Sequence, residues 1–256
     1  MKNNRIDADR RGKQLAEAAS RLAEEVNRLA FSPPVTYVYN PLDYAWETYT
    51  RYLELYGSSR KRVIFWGMNP GPWGMAQTGV PFGEIGFVRE WLKIEGTIGS
   101  PDEEHPKRRI TGFSCLRSEV SGQRLWSLFS RRFNSPAEFF KDHFVANYCP
   151  LLFVESSGRN RTPDKLPASE REGLFEACDA HLLRTVEILE PEWMIGIGGF
   201  AENRLKAADQ ALKDGTGSPV NIGKILHPSP ASPVANRGWE KAAESQLQEL
   251  GVWPAT

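Results

Sequence analysis

A short segment rich in glycine and proline carries an amide side chain that could take part in chemistry. Residues 67–74 contain three glycines and two prolines, which fix an unusual backbone path and let a ligand approach closely. Asn69 lies in this segment, so its carboxamide can be aimed at a ligand, although a tight turn whose Asn bonds its own backbone explains the pattern equally well. Phe82 ends the same loop and could stack on a flat ligand, although pattern alone favours a core Phe.

A second amide and a histidine end two later apolar runs. Asn147 lies in the run 144–148, and its carboxamide offers the donor and acceptors that suit the N3–H and O4 edge of a pyrimidine. An Asn that ties down a neighbouring loop is the alternative. His227 opens a segment with three prolines, and such a stiff loop can enter a DNA base stack with little loss of entropy. A rigid connector beside a half-buried His is the alternative there.

Short apolar runs alternate with helical patterns, and this order predicts an α/β fold. We expect a three-layer α/β/α arrangement with a central four-stranded, mainly parallel sheet. The predicted strands are residues 62–67, 144–148, 193–197 and 222–226. The predicted helices are residues 8–30, 46–56, 84–95, a segment capped by Ser121, 168–190, one that ends at residue 212, and 239–250.

The loops that follow three of these strands are the most unusual parts of the sequence. They cover residues 68–83, 149–163 and 227–238. Ligands of open parallel sheets bind at the carboxyl ends of the strands, so we expect the three loops to form one site. We also expect a single domain over residues 1–256, with residues 1–34 as a helical extension packed on it. The polar stretch 99–111 is expected to be an exposed loop.

Charge and cysteine content limit the expected partners. The 32 basic and 32 acidic residues give a net charge of zero, so any nucleic-acid surface must be local. Residues 107–109, residues 159–161 and Arg237 could hold DNA phosphates, and solvated loops are an equal alternative. The three cysteines and four histidines lack metal-type spacing, so we expect no metal and no cofactor.

The sequence also bears on the compartment. No secretory signal and no apolar run long enough to span a membrane is visible. We therefore expect an intracellular monomer without a membrane partner, placed in the cytoplasm or nucleoid of a bacterium or in the nucleus of a eukaryote.

Three segments resemble the motifs of one family, in the order in which that family has them. They are GMNPGPWGMAQTGVPFG from residue 67, NYCPLLF followed by SGRNRTP from residue 147, and HPSPASPVANRGWE from residue 227. They resemble the active-site motif, the pyrimidine-binding segment and the DNA-inserting loop of the single-strand-selective monofunctional uracil-DNA glycosylases, a family of the uracil-DNA glycosylase superfamily. The resemblance spans roughly residues 35–250 and implies that superfamily's fold.

The resemblance implies a role for each candidate residue. Asn69 is expected to position the attacking water, and His227 to hydrogen-bond O2 of the departing uracil. Phe82 is expected to stack on the flipped base, while Asn147 reads its edge. The residues implied to lie around C5 of the base are Met68 and Gly71. The residues implied to contact DNA are Pro228, Ser229, Pro230, Ala231, Ser232, Pro233, Val234, Asn236 and Arg237.

The chain departs from the family pattern at three positions. Trp73 stands where Phe is expected, and Ala146 stands where animal members have His. Ala231 occupies a position in the inserting loop where animal members carry a large basic residue, so Val234 or the prolines would have to act as the wedge.

The implied activity is hydrolysis of the N-glycosidic bond of uracil in single- and double-stranded DNA. Uracils with a 5-substituent, such as 5-hydroxymethyluracil, are expected substrates as well. The base would be flipped out and attacked by water, and no lyase step is expected because neither catalytic motif contains a lysine. The alternatives are a relative specific for hypoxanthine or xanthine, a catalytically idle DNA-binding relative, and a nucleotide hydrolase, which the absence of a Walker lysine disfavours.

Overall fold

Seven strands form two sheets in residues 2–216 and 220–254, the part of the chain that the computed structural model describes. The strands are β1 (Val35–Tyr39), β2 (Val63–Gly67), β3 (His143–Asn147), β4 (Leu152–Glu155), β5 (Asn160–Arg161), β6 (Trp193–Ile197) and β7 (Asn221–Ile225). The larger sheet has the order β3–β2–β6–β7, and each of its three pairings is parallel. The four predicted strands are therefore confirmed, together with the α/β fold class.

Helices lie around the parallel sheet. They are α1 (Lys2–Val26), α2 (Pro41–Tyr44), α3 (Trp46–Tyr56), α4 (Met75–Thr78), α5 (Val120–Arg132), α6 (Pro136–Asp142), α7 (Ala168–Leu189), α8 (Gly199–Thr216), α9 (Pro233–Asn236) and α10 (Trp239–Glu249). The strand β6 lies under α8 because Gly196 has no side chain: a Cβ there would collide with the α8 backbone at Glu202. Within the described ranges, no helix is both long and apolar enough to cross a membrane.

The central strand β2 is buried along its whole length. Val63, Ile64, Phe65 and Trp66 are all inaccessible to solvent. A parallel strand with helices on both sides needs apolar residues facing both ways, which explains the unbroken apolar run in the sequence. This run ends at the edge of the sheet where the glycine- and proline-rich loop begins.

The N-terminal helix α1 packs against α7 and α3. Leu15, Ala19, Leu22 and Val26 form its buried stripe and belong to the same apolar cluster as the parallel sheet. Burial of this stripe accounts for the apolar spacing that predicts the helix. The description of residues 1–34 as an extension of a single domain stays a prediction.

The smaller sheet was not predicted. It is antiparallel with the order β1–β4–β5, and two of its strands lie in residues 149–163, which the sequence analysis treats as a loop. The prediction was wrong there because β4 and β5 contain only four and two residues, too few for an alternating pattern to be recognised.

Three further local predictions differ in part from the structure. The helix expected at 84–95 is shorter: residues 85–91 are helical, with a wide turn at Phe87–Trp91, and the chain leaves it through Lys93 at a φ of +55°. Ser121 does not cap α5, because that helix already begins at Val120. The stretch 99–111 is not an exposed loop throughout: His105 is buried, and its backbone N–H donates to Tyr39 Oη at 2.7 Å.

Candidate active site

A cavity of about 360 Å³ opens at the carboxyl edge of the parallel sheet. Its lining residues are Met68, Asn69, Pro70, Gly71, Pro72, Met75, Phe82, Glu119, Ser121, Asn147, Asn160, Thr162, His227, Ser229 and Pro230. All six residues predicted for catalysis or base contact are among them. Loops after β2, β3 and β7 thus meet at one place, as expected for the carboxyl ends of parallel strands.

The side chain of Asn69 is fixed by one hydrogen bond. Its Nδ2 donates to the Leu151 carbonyl at 3.1 Å, across to the segment that leads into β4. Because that contact requires the amino group, the carboxamide orientation is set, and Oδ1 is left as a hydrogen-bond acceptor at the cavity. The site therefore has an oriented amide oxygen that can hold a water molecule.

Asn147 lines the same cavity and carries an unpaired acceptor. Its Nδ2 donates to Met75 Sδ at 3.2 Å, while its Oδ1 is buried and accepts no hydrogen bond from the described residues. A buried polar atom without a partner costs about 1–3 kcal/mol, so this oxygen favours a ligand that brings an N–H group. Gly67 makes the arrangement possible, because a Cβ there would collide with Asn147 Oδ1 and with the Phe82 ring.

Phe82 is held in a backbone conformation that such residues rarely adopt. Its φ is +53°, and its carbonyl accepts a hydrogen bond from Trp126 Nε1 at 3.0 Å. Gly122 allows α5 to come this close, since a Cβ there would collide with the Phe82 carbonyl. The backbone is thus strained where the aromatic ring lines the cavity, as often happens at functional sites.

His227 is arranged as a neutral donor. The Ser229 backbone N–H donates to its Nδ1 at 3.1 Å, and burial lowers the pKa of the imidazole. A neutral imidazole that accepts at Nδ1 carries its proton on Nε2. The ring therefore offers an N–H donor at its other nitrogen, and Gly198, at a φ of +91°, leaves room for the ring beside β6.

The proline-rich loop after His227 forms part of the rim. Ser229 and Pro230 line the cavity, whereas Pro228 is buried below the loop and Ser232 caps α9. The exposed members of the predicted DNA-contacting set are Pro230, Ala231, Pro233, Val234, Asn236 and Arg237.

Arg124 and Asn236 hold this loop together. Arg124 of α5 donates to the carbonyls of Pro228 and Ser229, at 3.0 and 3.4 Å, and to Asn236 Oδ1 at 2.9 Å. Asn236 in turn donates through Nδ2 to the Pro230 carbonyl at 2.9 Å. The side chain of Asn236, which was predicted to contact DNA, is thus hydrogen-bonded within its own loop and to Arg124.

The sequence analysis missed Glu119, whose side chain lies against the loop of residues 68–83. Its Oε2 accepts the Trp73 backbone N–H at 3.3 Å, and a Cβ at Gly74 would lie 2.8 Å from its Cγ. Burial raises the pKa of this carboxyl. A signal did exist: Glu119 immediately precedes a helix whose N-terminus favours a nearby carboxylate.

The edge strand β5 and the residue that follows it add two polar side chains that were also missed as cavity residues. Asn160 and Thr162 are two positions apart and both line the cavity, whereas Arg161 between them pairs with Glu155 at 3.1 Å. Asn160 Oδ1 is buried and has no hydrogen-bond partner within the described chain. Grouping 159–161 as a basic phosphate-binding segment overlooked this alternation, which a two-residue strand does not reveal in the sequence.

No group of three or more His, Cys, Asp or Glu side chains within 2–216 and 220–254 could hold a metal ion. Cys115, Cys149 and Cys178 are all unpaired thiols.

The sequence and the fold match one class of proteins. A model of the uracil DNA glycosylase superfamily matches residues 55–249, so the chain belongs to this superfamily. The crystal structure of wild-type SMUG2 from Pedobacter heparinus aligns with a TM-score of 0.63 over 92% of this chain and 97% of that one. At 17% identity, this similarity is one of fold.

Relatives place the chain more closely within the class. The single-strand selective monofunctional uracil-DNA glycosylase of Rattus norvegicus is 50% identical over 238 residues, which cover 93% of this chain and 84% of the relative. The Mus musculus protein of that name is 49% identical over the same length and coverage. The Bos taurus protein is 48% identical over 234 residues, 91% of this chain and 85% of the relative. The chain is a member of this family, as its three motifs predicted.

Proposed function

We propose that the protein is a monofunctional DNA glycosylase that hydrolyses the N-glycosidic bond of uracil in DNA. The observation that carries this proposal is the meeting of complementary groups in one cavity. The residues that carry an unpaired amide acceptor, an aromatic ring, an imidazole donor and a second oriented amide all line the same cavity: Asn147, Phe82, His227 and Asn69. A flipped uracil and a water molecule together satisfy all four.

Recognition of the base rests on Asn147. Its unpaired Oδ1 accepts the uracil N3–H, and the second hydrogen of its Nδ2 is available for O4. Cytosine has an unprotonated N3 and an amino group at position 4, so it presents the opposite pattern and is disfavoured. Phe82 stacks on the ring of the extruded base.

The wall around C5 sets which substituents the site accepts. Met68 and Gly71 form this wall and exclude the methyl group of thymine. The Glu119 carboxyl lies directly beside Gly71, which supports acceptance of a 5-hydroxymethyl group, whose O–H needs a hydrogen-bond acceptor.

Cleavage of the bond leaves negative charge on the uracil. The Nε2–H of His227 donates to O2, where this charge develops, and one such preorganised donor contributes about 3–4 kcal/mol. Asn69 Oδ1 orients the water that attacks the sugar. No lysine lines the cavity among the described residues, which supports hydrolysis without a lyase step.

DNA is the macromolecular partner in this proposal, and single strands are the better substrate. Flipping a base out of a duplex costs a few kcal/mol, and the cost falls when the base is unpaired. The exposed prolines and Val234 at the rim fill the space that the flipped base leaves in a duplex.

The test is excision from a single-stranded oligonucleotide that carries one uracil, in the presence of EDTA. Strand breaks that appear only after hot alkali are the expected result, since a monofunctional enzyme leaves an intact abasic site. Breaks without alkali would contradict the absence of a lyase step. With no excision of uracil, hypoxanthine and xanthine oligonucleotides would be tested next, and no excision of any of them would point to an idle DNA-binding protein.

A further inference from the structure

A leucine on a loop beside the cavity is fully exposed. The relative accessibility of Leu116 is 103%, against 50% for Val234 and 42% for Leu55. Single exposed apolar residues are common, so the exposure gains meaning only from the surroundings of the residue. Residues 112–118, named here the 112–118 loop, provide that context.

The 112–118 loop is anchored at both ends. Gln77 Oε1 accepts the backbone N–H groups of Thr111 and Gly112, at 2.9 and 3.1 Å. At the other end, Ser118 Oγ donates to Glu84 Oε1 at 3.0 Å. Between these anchors the tip carries Leu116 outward. Because the tip is already held in place, little conformational entropy is lost when it binds a ligand.

Two arginines, one of them next to Leu116 in sequence, lie over the same aromatic ring. The guanidinium carbons of Arg117 and Arg108 lie 4.5 and 5.1 Å from the centroid of the Trp73 ring, so one indole is covered by two cations. Arg117 is exposed and donates no hydrogen bond to the described residues, which leaves its N–H groups for an anion. Lys107 and Arg109 are exposed beside Arg108.

The 112–118 loop is continuous with the rim of the candidate active site. Glu119, two residues after Arg117, lines the cavity and accepts the Trp73 N–H. Trp73 itself follows Pro72, another lining residue. A strand that delivers a nucleotide into this cavity must cross the rim, and this apolar and cationic surface adjoins the rim at Pro72 and Glu119.

We propose that the 112–118 loop is a second DNA-contacting element that holds the single strand next to the flipped nucleotide. Leu116 packs on a neighbouring base or sugar, and Arg117 binds a phosphate while its guanidinium rests on Trp73. The combination of an apolar contact with an adjacent cation suits single-stranded DNA, in which unstacked bases and phosphates lie side by side. This inference rests on the proposed function.

The binding test uses Leu116→Ser and Arg117→Ala, with Leu55→Ser and Arg51→Ala as matched surface controls on α3. The ligand is a fluorescent single-stranded oligonucleotide that contains 2′-fluoroarabino-uridine, which resists hydrolysis. Each loop variant is expected to bind about fivefold more weakly, the size expected for one partly buried apolar contact or one phosphate contact. The controls are expected to bind like the wild type. Either loop variant binding like the wild type would overturn the proposal.

Salt titration separates the two contacts. Arg117→Ala is expected to reduce the slope of log Kd against log salt by about 0.7, the value for one phosphate of a single strand. Leu116→Ser is expected to leave the slope unchanged, because an apolar contact releases no counterions. Equal slopes for wild type and Arg117→Ala would rule out the phosphate contact.

Shortened oligonucleotides test whether the contact is direct. Removing nucleotides on one side of the uracil should weaken binding by the wild type by the same factor as the Leu116→Ser substitution does. The same shortening should not weaken binding by Leu116→Ser any further. Independent, additive losses would overturn a direct contact. Excision of uracil is measured in the same preparations. If the wild type excises uracil while both loop variants bind normally, only the DNA contact of the 112–118 loop is refuted. If the wild type excises no uracil, the proposed function is refuted.

Discussion

The two long loops that supply Asn69 and His227 differ in how they are held. In the first, the buried Gln77 makes four hydrogen bonds: its Nε2 donates to Pro72 and Arg109 carbonyls at 3.0 Å each, and its Oε1 accepts two backbone N–H groups. In the second, most residues beyond Ser229 are exposed, and Arg124 of α5 donates to the carbonyls of Pro228 and Ser229.

This difference separates two tasks. The first loop is packed from Gly74 to Gly83 and forms a wall whose shape is fixed before any ligand arrives, which suits a small planar base. The second loop lines the cavity with His227, Ser229 and Pro230 and leaves Val234 and its exposed prolines facing solvent, which suits a large partner. Substitutions in the first loop should therefore affect the rate of base excision, and substitutions in the exposed part of the second loop should affect the interaction with DNA.

The largest effect is expected at His227, the catalytic candidate in the second loop. His227→Leu should slow single-turnover excision of uracil by about 100- to 1,000-fold, because it removes the proposed donor to O2. His227→Gln keeps an N–H donor and should retain more activity. A less than tenfold effect of the Leu substitution would mean that other groups hold O2.

Asn69→Ala should slow single-turnover excision by about 100-fold, the size expected when a reacting group loses its position. Binding of single-stranded uracil DNA should persist, because the proposed role of Asn69 is to orient the attacking water and not to contact the strand. Unchanged excision would remove Asn69 from the mechanism. Loss of binding together with excision would mean that the first loop also carries DNA contacts, and the separation of tasks would fail.

The preformed wall can be tested at one glycine. Gly67→Ala places a Cβ against Asn147 and Phe82, so it should lower kcat/KM for uracil by about tenfold or more, in line with the 1–3 kcal/mol typical of overpacking. Gly199→Ala is the matched control, since nothing lies within 4 Å of its added Cβ. If both variants excise uracil equally, the cavity is adaptable and its shape is not fixed by Gly67.

The positions of the catalytic candidates followed from the sequence because they depend on strand ends. Asn69, Asn147 and His227 each lie at or just after a parallel strand, and buried parallel strands are visible as unbroken apolar runs. The carboxyl ends of such strands share one edge, so the convergence of three distant segments needed no knowledge of side-chain contacts.

The remaining wall could not be predicted in this way. Asn160 reaches the cavity on a two-residue strand whose alternation is too short to recognise, and the pairing of β1 with β4 joins segments more than 100 residues apart. Leu116 gave no signal either, because its exposure depends on the anchoring of the 112–118 loop by Gln77 from another loop. Such features are products of tertiary contacts rather than of local pattern.

The smallest effect is expected at the exposed tip of the second loop, where its size should depend on whether the substrate is duplex or single-stranded DNA. Val234 is 50% exposed next to Ser232, which caps the short helix α9 and keeps the tip in place. In a duplex, a flipped base leaves a gap between stacked neighbours that an apolar side chain can fill, whereas a single strand can close that gap by itself. Val234→Ser should therefore reduce kcat/KM about three- to fivefold on duplex uracil DNA and less than twofold on single strands. An equal loss on both substrates would show that Val234 contacts the strand itself, and the role of wedge would then fall to the neighbouring prolines.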